Sequence, residues 1–241
     1  MSAEFTLTST VAYGDVDRDQ LLTLGGFFKL VQEAAIKHAD RFDLGTKAME
    51  AHGESWVLNR VAAQIRRYPR YEEPVRVVTW SAGIRGFRGY RDLRIFCGDE
   101  LVLQASTLWL YVSLRTKTLT RVPAELAARF PVGTGEVFQP ELDKLRIDPP
   151  GAEASRTDVS LRYSDFDGNA HLNNTVYLDC LQTALQREAQ PVRPARIELQ
   201  FLKEVAPTTA SVQVALECRG ETALFAVRSE GESHAQGRVT F

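Results

Sequence analysis

Apolar residues recur every three to four positions at two places in the chain. Leu24, Phe27, Phe28, Val31 and Ala35 form one stripe, and Val176, Tyr177, Cys180, Leu181 and Ala184 form another. Each is the pattern of an α-helix with a buried face. After each helix the chain turns to strand-like runs. In the first half these are SWVLNRVAAQIRRY, PVRVVTWSAGI, YRDLRIFC and VLQASTLWLYVSL, punctuated at Pro69, Pro74, Gly83 to Gly89 and Gly98-Asp99. In the second they are ARIELQFLKEV, ASVQVALECR, ALFAVRSEG and AQGRVTF. A helix followed by an antiparallel meander predicts an α+β fold. The meander curls around its apolar helix, and two such units side by side can extend one sheet.

The two patterns are copies of one unit. Setting VAYGDVDRDQLLTLGGFFKLVQEAA over LRYSDFDGNAHLNNTVYLDCLQTAL pairs Tyr13 with Tyr163, Asp15 with Asp165, Asp17 with Asp167, Phe27 with Tyr177, Gln32 with Gln182 and Ala34 with Ala184, each 150 positions apart. Between the copies, Pro123, Pro131, Pro140, Pro149 and Pro150 mark a linker with a short helix at 124–129. The predicted division is residues 1–122, a linker at 123–156, and residues 157–241.

The chain has 241 residues, 44% of them apolar, enough for a real core in one large domain or in two of about 120 residues. A formal net charge of −2 gives no global field to mark a nucleic-acid or membrane protein. Locally, nine arginines and three acids lie between Arg60 and Arg94. One by one these read as solvated strand faces; together they offer a surface to an acidic partner. Cys97, Cys180 and Cys218 are odd in number, widely spaced and free of any C-x-x-C pair, which argues against a disulfide framework and a zinc site. With no signal-like leader after Met1 and no apolar run of about 18 residues, the expected compartment is the cytosol.

The densest chemistry is in Tyr163–Tyr177, YSDFDGNAHLNNTVY. Asp167, Asn169 and His171 alternate there, so an extended segment projects all three to one side, and the positive end of the following helix arrives at the same place. A base, an orienting group and N–H donors suit attack on a carbonyl. The bland reading explains the asparagines well: at least one of Asn173 and Asn174 caps the helix. Asp165, Asp167 and Asn169 imitate a calcium loop, but Ala170 and Val176 stand where it needs Gly and Glu, so calcium is excluded and no metal is expected.

This segment resembles the D-x-N-x-H-V-N-N-x-x-Y signature of the acyl-acyl-carrier-protein thioesterases, a family built from two fused hotdog domains. LQFLKEV is similar to the strand that carries the family's glutamate. WVLNRVAAQIRRYPRYEEPVRVVTWSAG followed by RGYRDLRI resembles its W-V…R-Y-P…T-W…R-R-D segment. The resemblance covers nearly the whole chain. It implies two tandem hotdog domains and a site of Asp167, Asn169, His171 and Glu204. Asn173 and Asn174 would lie beside the substrate carbonyl. Phe27, Phe28 and Trp56 would line an acyl pocket or belong to the plain core. No cofactor is implied, and the partner is an acyl carrier protein bearing a phosphopantetheine-linked chain. Two departures matter. Val205 stands where many plant members have a cysteine, which removes a thiol nucleophile, and no plastid leader is seen, which implies a bacterial-type enzyme. In the first copy Asp19, Leu21, Thr23 and Leu24 replace Asn169, His171, Asn173 and Asn174, so one functional site per chain is expected.

The implied reaction is hydrolysis of a fatty acyl thioester, with Glu204 activating water and His171 orienting it; direct action by Asp167 is the alternative. Three rivals stand beside it. An acyl-CoA or aroyl-CoA thioesterase shares the chemistry, a hotdog hydratase has a wider Asn-to-His spacing, and a non-catalytic acyl-thioester sensor needs no such constellation. Acyl length and homodimerisation are left open.

Overall fold

The computed structural model describes residues 2–241. Both predicted stripes are helices: α1, Leu24–Asp40, and α4, Val176–Arg187, with every stripe residue buried. Thr23 starts α1 by accepting a hydrogen bond from Gly26 N–H at 2.9 Å. Two short helices not on the stripes are α2, Thr46–Ala51, and α3, Ala124–Arg129. The sequence pattern located α3 but not α2, whose single buried residue, Met49, leaves too little periodicity to read.

The strands of the first half are β1 Glu4–Thr10, β2 Glu54–Ile65, β3 Pro74–Arg85, β4 Arg88–Cys97, β5 Glu100–Ser113 and the two-residue β6 Thr118–Leu119. Those of the second are β7 Ser155–Ser160, β8 Arg196–Phe201, β9 Ser211–Arg219, β10 Thr222–Ser229 and β11 Glu232–Thr240. They form one eleven-stranded antiparallel sheet in the order β1-β3-β4-β5-β2-β8-β11-β10-β9-β7, with β6 paired to β5. Each half has the same internal order, and the halves join where β2 pairs with β8, from Arg60 opposite Gln200 to Gln64 opposite Arg196. Val61, Ala62 and Ala63 on β2 and Ile197, Glu198 and Leu199 on β8 are all buried, as in strands covered on both faces, and the Glu198 carboxylate is answered by Arg196 and Arg238.

Helices α1 and α4 lie against each other on one face of the sheet. Leu24 N–H donates to the Gln182 side chain at 2.8 Å, and a Cβ on Gly25 would meet the Asp179 carboxylate at 2.1 Å, so glycine there permits the close approach. The proline-rich segment between the copies packs on the opposite face. Leu142 is buried with Ala62, Tyr90 and Leu108, and Arg60 donates through Nη1 to the carbonyls of Leu142, Asp143 and Leu145.

The arginines between 60 and 94 do not make one cationic face. Arg60 is spent on those carbonyls, Arg67 on Glu73 and Glu100, Arg94 on the Glu136 carbonyl and the Trp80 ring, and Arg91 is buried. Arg66, Arg70 and Arg85 are exposed, but Arg70 lies just before one end of β3 and Arg85 at the other, roughly 36 Å away along a strand of that length. Alternation along strands splits a basic run between faces and ends, which linear spacing does not reveal.

Candidate active site

The first-turn segment Tyr163–Asp165 is a single 3₁₀ turn, fixed by buried Asp165, which accepts from Arg162 N–H and Nε and whose carbonyl receives Asn173 N–H. The residues after it are not extended. Asp167 N–H bonds the His171 carbonyl at 2.9 Å, Ala170 N–H bonds the Asp167 carbonyl at 3.0 Å, and Ala170 takes φ 58°. A tight loop thus replaces the expected alternating segment, because short Asx-type bonds satisfy the backbone locally. Asp167 Oδ1 accepts Asn169 N–H at 2.9 Å, so this carboxylate holds the loop, and it makes no hydrogen bond to the imidazole.

His171 leaves the loop toward Glu204, with Nε2 3.3 Å from Oε2 and side chains 41% and 55% exposed. Glu204 is not on a strand. β8 ends at Phe201, and the carboxylate rides on the turn that follows. That turn is pinned on two sides. Leu172 N–H donates to the Val205 carbonyl at 3.1 Å. Buried His234, on β11, places Nδ1 3.1 Å from the Glu204 carbonyl and 3.3 Å from that of Lys203. Carbonyls only accept, so Nδ1 carries a proton; Nε2 meets Ser229 Oγ at 2.6 Å. His234 had no signal in the sequence, being a lone histidine in a strand 30 residues past its partner.

Asn173 caps the entry to α4, its Oδ1 accepting from both N–H and Oγ1 of Thr175 at 3.0 Å. Among the described residues, the main-chain N–H groups of Asn174 and Tyr177 bond no other group of the chain. They stand at the positive end of α4, five and eight residues after the exposed Asn169.

The first copy is an internal control. Its loop is the same, with Gln20 at φ 60°, Asp17 N–H on the Leu21 carbonyl and Asp17 Oδ1 on Asp19 N–H. Every position open in the second copy is filled here. Leu24 N–H is taken by Gln182 and Phe27 N–H by the Thr23 carbonyl. Arg193 pairs with both Asp17 and Asp19. Leu22 N–H on the Pro69 carbonyl matches Leu172 N–H on that of Val205, so Tyr68 stands where Glu204 does; its hydroxyl is bound to the Pro194 carbonyl at 2.8 Å.

Neither Cys180 nor Cys97 offers a nucleophile, both being buried. Burial, then Asp179, pushes the Cys180 thiol up to about 12, and burial pushes Cys97 up to about 11. Val205, at the position after Glu204, is fully buried.

An apolar cavity of about 100 Å³, partly open to solvent, lies in the first half between α1, α2 and the sheet. Trp56 lines it, with Ala35, Ala39, Leu44, Met49 and Phe130. Phe27 and Phe28 do not. They sit in the first turn of α1, packed into the main core, and the cavity opens two turns later.

Residues 2–130 match the family model for the acyl-ACP thioesterase N-terminal domain, and residues 150–241 match that for the C-terminal domain. A chloroplastic acyl-[acyl-carrier-protein] hydrolase, FATB2, of Cuphea viscosissima is 27% identical over 178 residues, covering 68% of this chain and 43% of its own. A chloroplastic palmitoyl-acyl carrier protein thioesterase of Gossypium hirsutum is 23% identical over 249 residues, covering 98% and 57%. The chain thus spans about half the length of these curated relatives. In fold it is similar to an acyl-ACP thioesterase of Bacteroides thetaiotaomicron, at TM-score 0.81 and 19% identity over all of both chains. It is likewise similar to the 12:0-ACP thioesterase of Umbellularia californica, at TM-score 0.82 and 20% identity over 100% and 97%.

Proposed function

The chain belongs to the acyl-acyl-carrier-protein thioesterase family, and on that premise we propose that it hydrolyses the thioester of a fatty acyl group carried on acyl carrier protein, using Asp167, Asn169, His171 and Glu204. The observation that carries the reading is the contrast between the copies: the N–H groups of Leu24 and Phe27 and the side chains of Asp17 and Asp19 are tied up in the first, whereas among the described residues the N–H groups of Asn174 and Tyr177 and the Asn169 side chain have no partner in the second, beside a His171–Glu204 pair 3.3 Å apart.

The substrate carbonyl lies at the start of α4. There the N–H groups of Asn174 and Tyr177, with the Asn169 amide, receive the oxyanion; each such donor is worth about 10²- to 10³-fold in well-studied cases. His171 donates through Nε2 and holds Glu204 in place. Glu204 takes a proton from water as its oxygen bonds the carbonyl carbon, and the C–S bond then breaks as the proton passes to the departing pantetheine thiolate. The products are a free acid and a thiol. Asp167 keeps Asn169 and His171 in register through the loop bond.

The test is thiol release from matched acyl-carrier-protein and acyl-CoA thioesters. Glu204→Gln and His171→Ala are expected to cut turnover about 10²- to 10⁴-fold while melting like the parent. Preference for the CoA series would move the substrate to the rival class. Wild-type protein that binds these thioesters but leaves them intact would make it a sensor.

A further inference from the structure

The second half carries a polar bowl that the site residues do not line. It has a volume of about 400 Å³, is partly open to solvent, and is walled by Arg156, Ser211, Gln213, Arg228, Ser229 and the tip of the β10–β11 hairpin. Strand pairing puts Asp158 of β7, Gln213 of β9 and Arg228 of β10 in one row. The residues that alternate with them, Thr157, Val212, Val214 and Val227, are buried, so this row faces away from α4. The bowl lies at the end of the sheet where β7 runs into the site loop and β8 into the Glu204 turn. Its cations are unanswered. Among the described residues neither Arg156 nor Arg228 makes a side-chain hydrogen bond or an ion pair, and Arg228 Nε is buried without a partner. The two acids beside them do not supply the acceptor. Asp158 takes the Gln213 amide at 3.1 Å, and Glu230, at the hairpin tip, is exposed. A desolvated guanidinium N–H without an acceptor is destabilising, so what the bowl lacks is an acceptor of negative charge. One wall reaches the chemistry. Ser229 Oγ lies 2.6 Å from His234 Nε2, and His234 holds the Glu204 carbonyl, so two hydrogen bonds and one imidazole separate the bowl from the Glu204 turn.

We propose that this bowl binds a phosphoryl oxyanion between Arg156 and Arg228, with the Ser211 hydroxyl as a further donor. Two guanidiniums and a hydroxyl, brought by β7, β10 and the start of β9, suit a tetrahedral group with several acceptor oxygens better than a planar carboxylate with two. On the thioesterase reading its source is the phosphate that joins pantetheine to the carrier, anchored here while the thioester reaches the start of α4; free phosphate is the other source. That identification rests on the thioesterase reading, whereas anion binding does not.

The experiment follows the phosphorus NMR signals of inorganic phosphate and of phosphopantetheine as protein is added, with acetate as competitor. In parallel, KM is measured for one acyl group carried on pantetheine and on phosphopantetheine. Both phosphorus signals are expected to broaden and shift with wild-type protein, and the phosphate to lower KM about tenfold, as one charge-assisted hydrogen bond allows, with kcat unchanged. Arg228→Gln and Arg156→Gln each weaken the phosphorus response and bring the two KM values together, while hydrolysis of acyl-pantetheine stays at the parent rate. Tighter binding of phosphopantetheine than of phosphate assigns the site to the carrier's arm, and equal binding assigns it to free phosphate; either supports the bowl as a phosphoryl site. Unperturbed signals with wild-type protein overturn it, and so does a response that survives both substitutions or acetate that displaces phosphate at equal concentration. If Arg228→Gln does not fold, the exposed Arg156→Gln decides. Phosphate binding that needs these arginines in a protein that cleaves no thioester keeps the site and overturns the hydrolase reading; cleavage with equal KM values and silent phosphorus signals does the reverse.

Discussion

Asp17 and Asp167 occupy the same place in two copies of one loop, and exchanging each for alanine should separate stability from catalysis. Asp17 Oδ1 accepts from Asp19 N–H at 2.9 Å and Leu21 N–H at 3.2 Å, and Oδ2 pairs with Arg193 at 2.6 Å, with side chains 22% and 28% exposed. Two backbone bonds at about 1 kcal/mol each, and a half-screened ion pair of about 1 kcal/mol or less, put Asp17→Ala at about 2–3 kcal/mol. For a chain of this size that is a fall in Tm of about 4–12 °C. Asp167 makes one such bond, to Asn169 N–H, so Asp167→Ala costs about 1 kcal/mol in stability. Its rate should fall far more, because releasing the loop frees both Asn169 and His171 from the α4 terminus; misplacement on the ångström scale costs about 10²-fold. Thermal melts and thiol-release kinetics on both variants give a crossed result: Asp17→Ala unstable and active, Asp167→Ala stable and slow. A matching loss of rate in Asp17→Ala, with its Tm intact, would refute the assignment of chemistry to the second copy.

Two further perturbations follow from buried histidines. His234→Phe removes the donor to the Glu204 and Lys203 carbonyls while filling the same space; kcat is expected to fall about tenfold or more with KM changed little, and an unchanged kcat would show that the turn holds itself. His38, neutral in the fold with its pKa near 3 against about 6.5 unfolded, takes up its proton only on unfolding between those values. The unfolded state therefore binds more protons in that window, and stability should drop as pH falls from about 6.5 toward 3, by up to about 1.4 kcal/mol per pH unit. Urea titrations across that range should show a shallower slope for His38→Leu; parallel slopes would place the acid sensitivity elsewhere.

Local pattern made much of the architecture legible. Helical stripes, alternating strands, the 150-residue repeat and the helix at Ala124–Arg129 all depend on bonds and faces within a few residues of each other, and all appear in the fold. The motif from Asp167 to Asn174 was visible for the same reason, though its tight loop was not, since Ala170 adopts a left-handed conformation that residue type does not announce. The strand-like run ARIELQFLKEV includes Glu204, yet β8 ends three residues earlier, where pairing with β11 stops at Ala235.

What the chain determined by itself is the unit, its duplication and the identity of the polar residues beside the second helix. Tertiary structure alone decided which copy is open: Gln182 and Arg193 reach across from the second half to close the first, over 158 and 176 positions of sequence. It also set His234 behind Glu204 and brought Arg91 of β4 against His38 of α1. Such contacts join side chains whose distance depends on how two helices and a joined sheet pack, so no local periodicity records them.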